Sequence, residues 1–382
     1  MDLHLSHPAI EDLKRTGKRN VPHFVWEYLD SAVGQEEARR RAETALDEVR
    51  LLPHMMRGIA APDLSARLMG RDYPLPFGFA PVGMSGLIWP GAERALARLA
   101  AKEGLPYTLS TVAAATPEEV GPKVGDQGWF QLYAPADPEI RRDMCARARD
   151  AGFHTMVLTV DLAVASRRER LQRARLTNPM TLTPRLVIDA ARRPSWALAT
   201  LSAGIPRLKT LERYTDPNAK GSATAHVGYQ IRTAPDVAYV RALRAEWDGP
   251  LVVKGILSAN DAEIAREAGA DAIWVSNHGG RQFDGGPPPI HQLPQIRATV
   301  GSDTPLLYDS GIRSGLDIMR ALALGADFCM IGRAVHYGLA AFGPKGAAHA
   351  VSVLRAQLLA DMANAGCARL GDLGEHLVSE AL

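Results

Sequence analysis

Residues 272–282 read AIWVSNHGGRQ, an apolar run that leads into a turn in which two glycines separate a histidine from an arginine. Four apolar residues followed by turn-forming residues indicate a buried strand and the loop after it. A histidine can accept a proton near neutral pH, and a guanidinium offers a forked pair of donors that fits a carboxylate. His278 and Arg281 therefore suit a site for an α-hydroxy or α-keto acid, and an ordinary glycine-rich turn is the alternative.

Short apolar runs of this kind recur along the chain from residue 77 onward. Stretches with apolar residues at three- and four-residue spacing separate most of them, for example at residues 92–100 and 316–324, and indicate helices. Alternating strands and helices favour parallel pairing, and eight such units predict an α/β fold of the closed (β/α)8 TIM barrel type. The predicted strands are 77–80, 107–109, 129–132, 156–158, 251–253, 273–275, 306–308 and 329–331.

Polar residues stand at or just after the ends of most predicted strands, among them Ser110, Gln131, Thr159, Lys254 and Ser276. A TIM barrel carries its active site at the carboxyl ends of its strands, so this distribution suits catalysis. A doubly wound sheet is the competing fold. That fold usually has a G-x-G-x-x-G turn after its first strand, and the sequence has none.

Two segments after the seventh and eighth predicted strands, residues 309–313 (DSGIR) and 331–333 (IGR), combine glycine with arginine. Barrels often bind phosphate at this place through backbone N–H groups and a helix N-terminus. The two segments therefore predict a phosphorylated cofactor, whereas glycine–arginine pairs on an ordinary surface are the alternative.

Composition limits the range of functions. The chain has 382 residues, of which 46% are hydrophobic and 23% charged, with a formal net charge of +2. This balance is typical of soluble globular proteins and gives no reason to expect nucleic acid as a partner. The three cysteines are scattered without metal-binding spacing, so we expect reduced thiols and no metal site. The N-terminus lacks a signal-peptide pattern, which predicts a cytoplasmic protein.

The chain is interpreted as one domain over residues 1–382, with an N-terminal helical extension at 1–70 and a variable loop inserted at 178–228. The connection between the fourth and fifth predicted strands is far longer than an ordinary crossover. Residues 192–202 of it look helical, and residues 220–228 look mobile because they are rich in small and polar residues. Basic residues near the helical part suggest an interfacial helix that contacts a membrane through residues 185–215, and packing against the barrel or another subunit is the alternative.

Taken together, these motifs resemble the FMN-dependent α-hydroxy acid dehydrogenase and oxidase family, which includes L-lactate dehydrogenase, mandelate dehydrogenase and glycolate oxidase. The resemblance covers nearly the whole chain, and its most specific motif is SNHGGRQ at 276–282. The other matching segments are VPHFVWEYL at 21–29, WFQLY at 129–133, LTVD at 158–161, LGAD at 324–327 and IGR at 331–333.

The resemblance implies the roles of the catalytic residues. His278 corresponds to the base that removes a proton from the substrate while a hydride equivalent passes to flavin N5. Asp161 corresponds to the carboxylate that orients this histidine and stabilises its charged form, and a strand-end cap is the alternative. Tyr133 and Lys254 complete the catalytic set that the resemblance implies.

Substrate binding is assigned in the same way. Arg281 and Arg168 correspond to the two arginines that hold the substrate carboxylate, and Tyr28 and Tyr133 to tyrosines that bind substrate oxygens. For Arg168 the alternative is a solvated basic face that also includes Arg167, Arg170, Arg173 and Arg175. For Tyr28 the alternative is that its side chain is an ordinary aromatic residue of the core.

The resemblance also implies FMN as the cofactor. Lys254 corresponds to the residue near flavin N1 and O2, where a positive charge raises the tendency of the ring to accept electrons. The remaining FMN-binding positions that the family pattern implies are Ala80, Pro81, Val82, Ser110, Gln131, Thr159, Ser276, Asp309, Ser310, Gly311, Ile312, Arg313, Gly332 and Arg333.

Two positions bear on the type of enzyme. Gly83 matches the glycine usual in the dehydrogenases of the family, where oxidases typically carry alanine, and Val112 replaces a tryptophan of glycolate oxidase. We therefore expect oxidation of an L-(S)-2-hydroxy acid, of the L-lactate or (S)-mandelate type, with electrons passing to a quinone or cytochrome. An oxidase that produces hydrogen peroxide is the alternative. The residues leave two further alternative functions open. One is a barrel lyase with Lys254 as Schiff-base amine, and the other is a non-catalytic flavin-binding module. The resemblance further implies a homotetramer.

Overall fold

Eight parallel strands form a closed barrel in the computed structural model of this protein, which describes residues 2–175, 183–214 and 232–378. The barrel consists of β3 to β10 in chain order, with β10 paired to β3. The strands are β1 (Ala66–Leu68), β2 (Arg71–Tyr73), β3 (Phe77–Phe79), β4 (Tyr107–Ser110), β5 (Gly128–Tyr133), β6 (Thr155–Thr159), β7 (Leu251–Ile256), β8 (Ala272–Val275), β9 (Leu306–Tyr308) and β10 (Phe328–Ile331). The predicted TIM barrel is confirmed, and each predicted strand overlaps an observed one.

Helices surround the barrel, and most strands are followed by one that returns the chain to the amino end. The helices are α1 (Leu3–Ser6), α2 (Ile10–Asn20), α3 (His23–Asp30), α4 (Glu37–Glu48), α5 (Ser85–Ile88), α6 (Ala92–Glu103), α7 (Pro117–Val124), α8 (Pro138–Asp150), α9 (Glu169–Arg173), α10 (Pro184–Ala191), α11 (Pro194–Ala203), α12 (Val237–Glu246), α13 (Ala259–Glu267), α14 (Pro289–Val300), α15 (Gly315–Ala323) and α16 (Arg333–Ala365). Helix α16 is interrupted at Phe342 and Gly343, just before Pro344, because a proline cannot continue the hydrogen-bond ladder.

The barrel interior is filled with large apolar side chains that point inward from alternate strand positions. Trp129, Trp274 and Phe328 are among them, and each is fully buried. The antiparallel hairpin of β1 and β2 covers the amino end, where Tyr73 contacts Phe328 with ring centroids 5.3 Å apart. The sequence did not predict this hairpin because its strands, ARL and RDY, form no continuous apolar run.

Helices α1 to α4 precede the barrel and reach its carboxyl end. Helix α2 packs against α16 so closely that a Cβ atom at Gly17 would lie 2.9 Å from the Cβ of Ala340. The carboxyl end of α3 lies over the rim of the barrel, and α4 contacts the turn at His278–Gly280. The N-terminal segment therefore forms part of the wall around the carboxyl ends of the strands.

The long connection between β6 and β7 carries α9, α10, α11 and α12. The helix predicted at 192–202 is confirmed as α11. Residues 176–182 and 215–231 lie outside the described residues, and so does the segment at 220–228 that was predicted to be mobile. Among the described helices, none is both long enough and apolar enough to cross a membrane.

Candidate active site

A cleft opens at the carboxyl ends of the barrel strands and brings together most of the residues predicted for the site. The predicted residues that line it are Tyr28, Ala80, Pro81, Val82, Tyr133, Arg168, Lys254, His278, Arg281, Asp309, Ser310, Gly311, Ile312, Arg313, Gly332 and Arg333. They come from the ends of the strands, from α3 and from the segment before α9. Residues far apart in sequence are therefore assembled around one space.

Four predicted cofactor residues, Ser110, Gln131, Thr159 and Ser276, do not line this cleft and are buried beside it. The Ser110 hydroxyl donates a hydrogen bond to Oε1 of Gln131 over 3.0 Å, and Nε2 of Gln131 donates to Oγ1 of Thr159 over 3.0 Å. This chain of hydrogen bonds fixes the orientation of the Gln131 amide between β4 and β6. The predicted contact of these four residues with FMN stays a prediction.

His278 lines the cleft and forms a hydrogen-bonded pair with Asp161, which does not line it, with 2.9 Å between Nδ1 of the ring and Oδ1 of the carboxylate. A carboxylate at Nδ1 favours the tautomer in which that nitrogen carries the proton, so Nε2 is left as the acceptor. Nε2 lies 3.5 Å from the Tyr133 hydroxyl, and both side chains line the cleft. Burial alone would raise the pKa of Asp161, but the charge of His278 and its hydrogen bond bring the pKa below its ordinary value.

The backbone of His278 is strained, with φ at +56°, a region that residues other than glycine rarely adopt. Two contacts hold it there: its N–H group donates to Oγ of Ser276 over 3.0 Å, and Oδ1 of Asn277 accepts from the N–H of Gly280 over 3.1 Å. Strain of this kind persists only where the surroundings impose it, and it is common at active sites. The turn therefore fixes the imidazole before any substrate binds.

Lys254 in β7 belongs to a buried polar network. Its ammonium group lies 3.2 Å from Oδ2 of Asp309 and donates to Oγ of Ser276 over 2.8 Å. The Ser276 hydroxyl in turn donates to Oδ1 of Asp309 over 2.6 Å. The lysine charge is thus held at a fixed point in the cleft wall, which suits electrostatic stabilisation of a bound group.

Arg281 and Arg333 bring guanidinium groups into the cleft without forming an ion pair with any carboxylate of the described residues. Burial, together with the charge of the neighbouring arginine Arg168, lowers the pKa of Arg281 to about 10. Burial and the charge of Arg281 lower the pKa of Arg333 to about 9. Burial therefore destabilises the charged forms of both arginines. A bound phosphate or carboxylate would stabilise these charges, so the two side chains suit an anion-binding site.

The end of the cleft near β9 and β10 fits a phosphate group. Ser310 and Gly311 have positive φ values of 85° and 97°, and this turn leads to Arg313. A Cβ atom at Gly332 would meet no side chain closer than Val82 Cγ2, at 3.9 Å, so the backbone there is not crowded. This donor set and the uncrowded backbone are consistent with the phosphate end of FMN.

Several residues that line the cleft were not assigned roles from the sequence. Met84, Leu162, Leu208 and Arg232 are among them, and the Arg232 guanidinium carbon lies 5.5 Å from the centroid of the Tyr133 ring. Leu162 follows Asp161 directly and could have been placed by that proximity. Leu208 and Arg232 lie in the long connection between β6 and β7, where no periodic pattern links them to the barrel.

The basic run after Arg168 separates into two groups. Arg170 is ion-paired with Glu27 and other carboxylates, whereas Arg173 and Arg175 are exposed. The interpretation of this run as a solvated face therefore holds for Arg173 and Arg175 and is wrong for Arg170. Arg168 itself lines the cleft and lies over the ring of Tyr28, with its guanidinium carbon 5.2 Å from the ring centroid.

Comparison with known proteins agrees with this geometry. The model of the family described as FMN-dependent dehydrogenase matches residues 17–380. The chain belongs to this family. FMN is therefore its cofactor, and the protein is an oxidoreductase. Membership of this family disfavours the two other functions, the Schiff-base lyase and the non-catalytic module. The ion pair of Lys254 with Asp309 also does not suit a nucleophilic amine.

Relatives of known name within the FMN-dependent dehydrogenase family are similar over almost their whole length. An L-lactate dehydrogenase of Pseudomonas aeruginosa is 35% identical over 380 residues, which is 97% of this chain and 98% of that protein. An (S)-mandelate dehydrogenase of Pseudomonas putida is 34% identical over 374 residues, covering 98% of this chain and 94% of that protein.

Solved structures of the family give the same result. The crystal structure of (S)-mandelate dehydrogenase, described as a monotopic membrane protein, matches with a TM-score of 0.91 and 33% identity, over 97% of this chain and 98% of that one. A mandelate oxidase structure matches with a TM-score of 0.80, 33% identity and the same coverage of the two chains. Dehydrogenases and oxidases of the family therefore share this architecture.

Gly255, which follows Lys254, lets the Asp161 carboxylate approach the backbone. Its φ is +108°, and a Cβ atom there would lie 2.5 Å from Cγ of Asp161. We expect Gly255→Ala to displace Asp161 and to lower kcat by at least about tenfold, because small misplacements of reacting groups are costly.

Gly152→Ala is the matched control for this prediction, because its φ is +88° and nothing lies within 4 Å of a Cβ atom there. Both substitutions carry the strain of a positive φ, roughly 1–2 kcal/mol. Steady-state kinetics and thermal unfolding separate the two effects. Equal kcat in the two variants would show that Asp161 does not need this close approach.

Proposed function

We propose that the protein oxidises an L-(S)-2-hydroxy acid with an apolar side chain, such as L-lactate or (S)-mandelate, to the 2-keto acid. The observation that carries this proposal is the pairing with Asp161 of His278, which lines the same cleft as Arg281. A proton acceptor and a carboxylate-binding guanidinium then face one substrate molecule. The lactate and mandelate dehydrogenases among the relatives support the choice of substrate class.

In this proposal the substrate carboxylate binds to Arg281 and Arg168, which both line the cleft. The fork of a guanidinium holds a carboxylate with two parallel hydrogen bonds, so it fixes orientation as well as position. The Tyr133 hydroxyl is expected to donate a hydrogen bond to a substrate oxygen, and the Tyr28 hydroxyl to exchange its present acceptor for another substrate oxygen. The Tyr28 hydroxyl donates over 2.7 Å to the Gly83 carbonyl oxygen, which keeps it at the cleft wall.

In this proposal Nε2 of His278 accepts a proton from the substrate. The ring becomes positively charged at that step, and the Asp161 carboxylate at Nδ1 stabilises the charge without itself taking the proton. Bound FMN would accept the second hydrogen of the substrate together with the two electrons, as a hydride equivalent. The ammonium group of Lys254 gives positive potential at the cofactor end of the cleft, next to Asp309 and Ser276.

The substrate side chain is expected to contact an apolar part of the cleft. Met84, Val112, Leu162 and Leu208 line it. Filling such a surface with a methyl or phenyl group is favourable by roughly 25 cal/mol per Å² of buried apolar area. Glycolate has no side chain to contribute, so we expect it to be the poorest of the three acids.

We propose a quinone or cytochrome, rather than oxygen, as the electron acceptor. Gly83, the position that favours a dehydrogenase in the resemblance, has no room for a larger residue. A Cβ atom there would lie 2.5 Å from Cγ2 of Val112. The similarity to mandelate oxidase makes the peroxide-forming oxidase the second candidate. Assembly as a homotetramer remains part of the proposal.

One set of rate measurements tests this function. Purified holoenzyme is assayed with L-lactate, (S)-mandelate and glycolate, first under nitrogen with a water-soluble quinone and then in air without quinone. Faster turnover with quinone and little hydrogen peroxide in air would support the dehydrogenase. Faster turnover in air with stoichiometric peroxide would support the oxidase, and no turnover with any of the acids would contradict the proposal.

We also propose that helices α10 and α11 contact the surface of a membrane. Helix α11 packs against α3 and α5, where Trp196 contacts Phe24 and donates through Nε1 to the Leu87 carbonyl over 3.1 Å. Other large apolar side chains are exposed, including Leu198 at 67% and Leu201 at 80%. Exposed apolar side chains beside arginines suit the interface of an anionic bilayer. The structural similarity to a monotopic membrane protein supports this proposal.

We expect the double substitution of Leu198 and Leu201 by serine to abolish most sedimentation with anionic liposomes, as should deletion of residues 185–215. Turnover with a soluble acceptor should persist in the double variant, because neither leucine lines the cleft. Leu5→Ser is the control, since Leu5 is 83% exposed on a different helix. Unchanged sedimentation of the double variant and the deletion would rule out this surface.

A further inference from the structure

The carboxyl end of α3 offers backbone carbonyl groups to the arginines of the cleft. The last carbonyls of a helix lack partners within the helix and carry partial negative charge. The Tyr28 carbonyl accepts a hydrogen bond from Nη1 of Arg168 over 3.1 Å, and the Leu29 carbonyl accepts one from Arg281. The end of α3 therefore contacts both arginines that the proposed function assigns to the substrate carboxylate.

The next two carbonyls are occupied in the same way. The Asp30 carbonyl accepts from Nη1 of Arg39 over 2.7 Å, and the Ser31 carbonyl accepts from Nη2 of Arg333 over 3.1 Å. Four successive carbonyls thus each hold an arginine, and Arg333 belongs to the proposed phosphate end of the cleft. The position of this one helix end determines where several cationic groups of the site point.

Arg170 ties the segment that carries Arg168 to this helix end. Its Nε atom lies 2.7 Å from Oε2 of Glu27, and its Nη1 atom lies 3.1 Å from both Oδ2 of Asp30 and Oε2 of Glu36. The side chains of Glu27 and Asp30 are almost completely buried, so this ion-pair network is weakly screened by solvent. Arg170 therefore clamps the start of α9 onto α3 and the residues before α4.

The charges of this network support each other. Burial alone would raise the pKa of Asp30, yet the charges of Arg39, Arg333 and Arg170 and a hydrogen bond from the Tyr337 hydroxyl hold it well below the ordinary range. The carboxylate therefore stays ionised. It lies on the residue whose own carbonyl contacts Arg39, so the same residue joins the ion pairs to the helix end.

We propose that Arg170 is a positioning residue for substrate binding: through Glu27, Asp30 and Glu36 it holds Arg168 and the carboxyl end of α3 in register. This inference rests on the proposed function, in which Arg168 and Arg281 bind the substrate carboxylate. Arg170 does not line the cleft and touches no substrate. Its removal should change substrate affinity more than the rate of the chemical step. The proposal assigns that step to His278 and Asp161, which lie on other structural elements.

The test compares Arg170→Gln with Arg173→Gln in the holoenzyme. Arg173 lies on the same short helix but is exposed. We expect Arg170→Gln to raise KM for the preferred hydroxy acid roughly ten- to hundredfold with kcat and FMN content nearly unchanged, since misdirected binding groups weaken binding. Arg173→Gln should match the wild type. Arg170→Lys, which keeps the charge but not the fork, should restore part of the affinity.

Two readouts do not depend on turnover. Calorimetry with oxalate as a dicarboxylate probe should show weaker binding by Arg170→Gln but not by Arg173→Gln. Tryptic cleavage after Arg175, a site that both variants keep, should be faster in Arg170→Gln because the segment is no longer clamped. If Arg170→Gln folds poorly, Glu36→Gln weakens the same contacts from the other side and should shift oxalate affinity in the same direction.

The outcomes separate this inference from the proposed function. If wild-type protein oxidises no hydroxy acid, the proposed function fails, while oxalate binding and proteolysis still decide the role of Arg170. Equal KM, oxalate affinity and cleavage rate in Arg170→Gln and Arg173→Gln would overturn the inference. A parallel loss of kcat, FMN and stability without a separate effect on affinity would overturn it as well.

Discussion

Replacing His278 with glutamine is expected to slow reduction of the bound flavin by the substrate by about 10²- to 10⁴-fold, the usual contribution of a general base. Glutamine can still donate a hydrogen bond to Asp161, but it cannot accept a proton at the position of Nε2. FMN content should stay near that of the wild type, because the proposed phosphate end of the cleft is formed by residues of other strands. Anaerobic rapid-mixing absorbance measures the rate of flavin reduction.

His291→Gln is the matched control for this substitution. His291 lies on α14 with a partly exposed side chain, 3.6 Å from a carboxylate oxygen of Glu48, and it does not line the cleft. Both variants thus lose a histidine next to a carboxylate. Near-normal flavin reduction by His278→Gln would refute the assignment of the base, whereas a loss in both variants would point to a general effect on folding.

Arg281→Lys is expected to lower kcat/KM by roughly ten- to a hundredfold, mainly through KM. A charged hydrogen bond contributes roughly 1.5–3 kcal/mol, and an ammonium group replaces a planar fork by a single charge. The lysine would also lose the contact of the guanidinium with the Leu29 carbonyl, which aims Arg281 into the cleft. Steady-state kinetics with the preferred acid measures the effect.

Arg297→Lys provides the comparison for Arg281→Lys. Arg297 donates to the Gly325 carbonyl and pairs with Asp327 between α14 and the start of β10, away from the cleft. Its replacement should affect stability without changing KM. An unchanged KM in Arg281→Lys would contradict the role of Arg281 in carboxylate binding.

The barrel could be predicted from the sequence because its strands are buried on both faces and so read as short, continuous apolar runs. The hairpin of β1 and β2 escaped prediction, since its buried residues in the barrel core, Leu68 and Tyr73, are separated by a turn and two charged residues, Arg71 and Asp72. The helix at 192–202 was recognised from its composition. How it docks through Trp196 could not be, because that contact joins segments distant in sequence.

The location of the site could be predicted from the sequence, but most contacts within it could not. The polar strand ends indicated where the cleft lies, but the pairing of His278 with Asp161 joins residues 117 positions apart and was implied only by family resemblance. The part played by the end of α3 depends on backbone carbonyls, which every residue has and which no sequence motif reveals. From the sequence, Arg170 could not be distinguished from neighbouring surface arginines. Its ion pairs with Glu27, Asp30 and Glu36 are visible only in the structure.

The most direct test of the central claim is a single-turnover measurement with the two enantiomers of mandelate and of lactate. Holoenzyme is mixed with each acid in the absence of oxygen, and the visible absorbance of the flavin is followed. We predict that (S)-mandelate or L-lactate bleaches the flavin and yields one equivalent of keto acid, while (R)-mandelate and D-lactate leave it oxidised. Bleaching by neither enantiomer of either acid, or by both enantiomers at the same rate, would contradict oxidation of an L-2-hydroxy acid in this cleft.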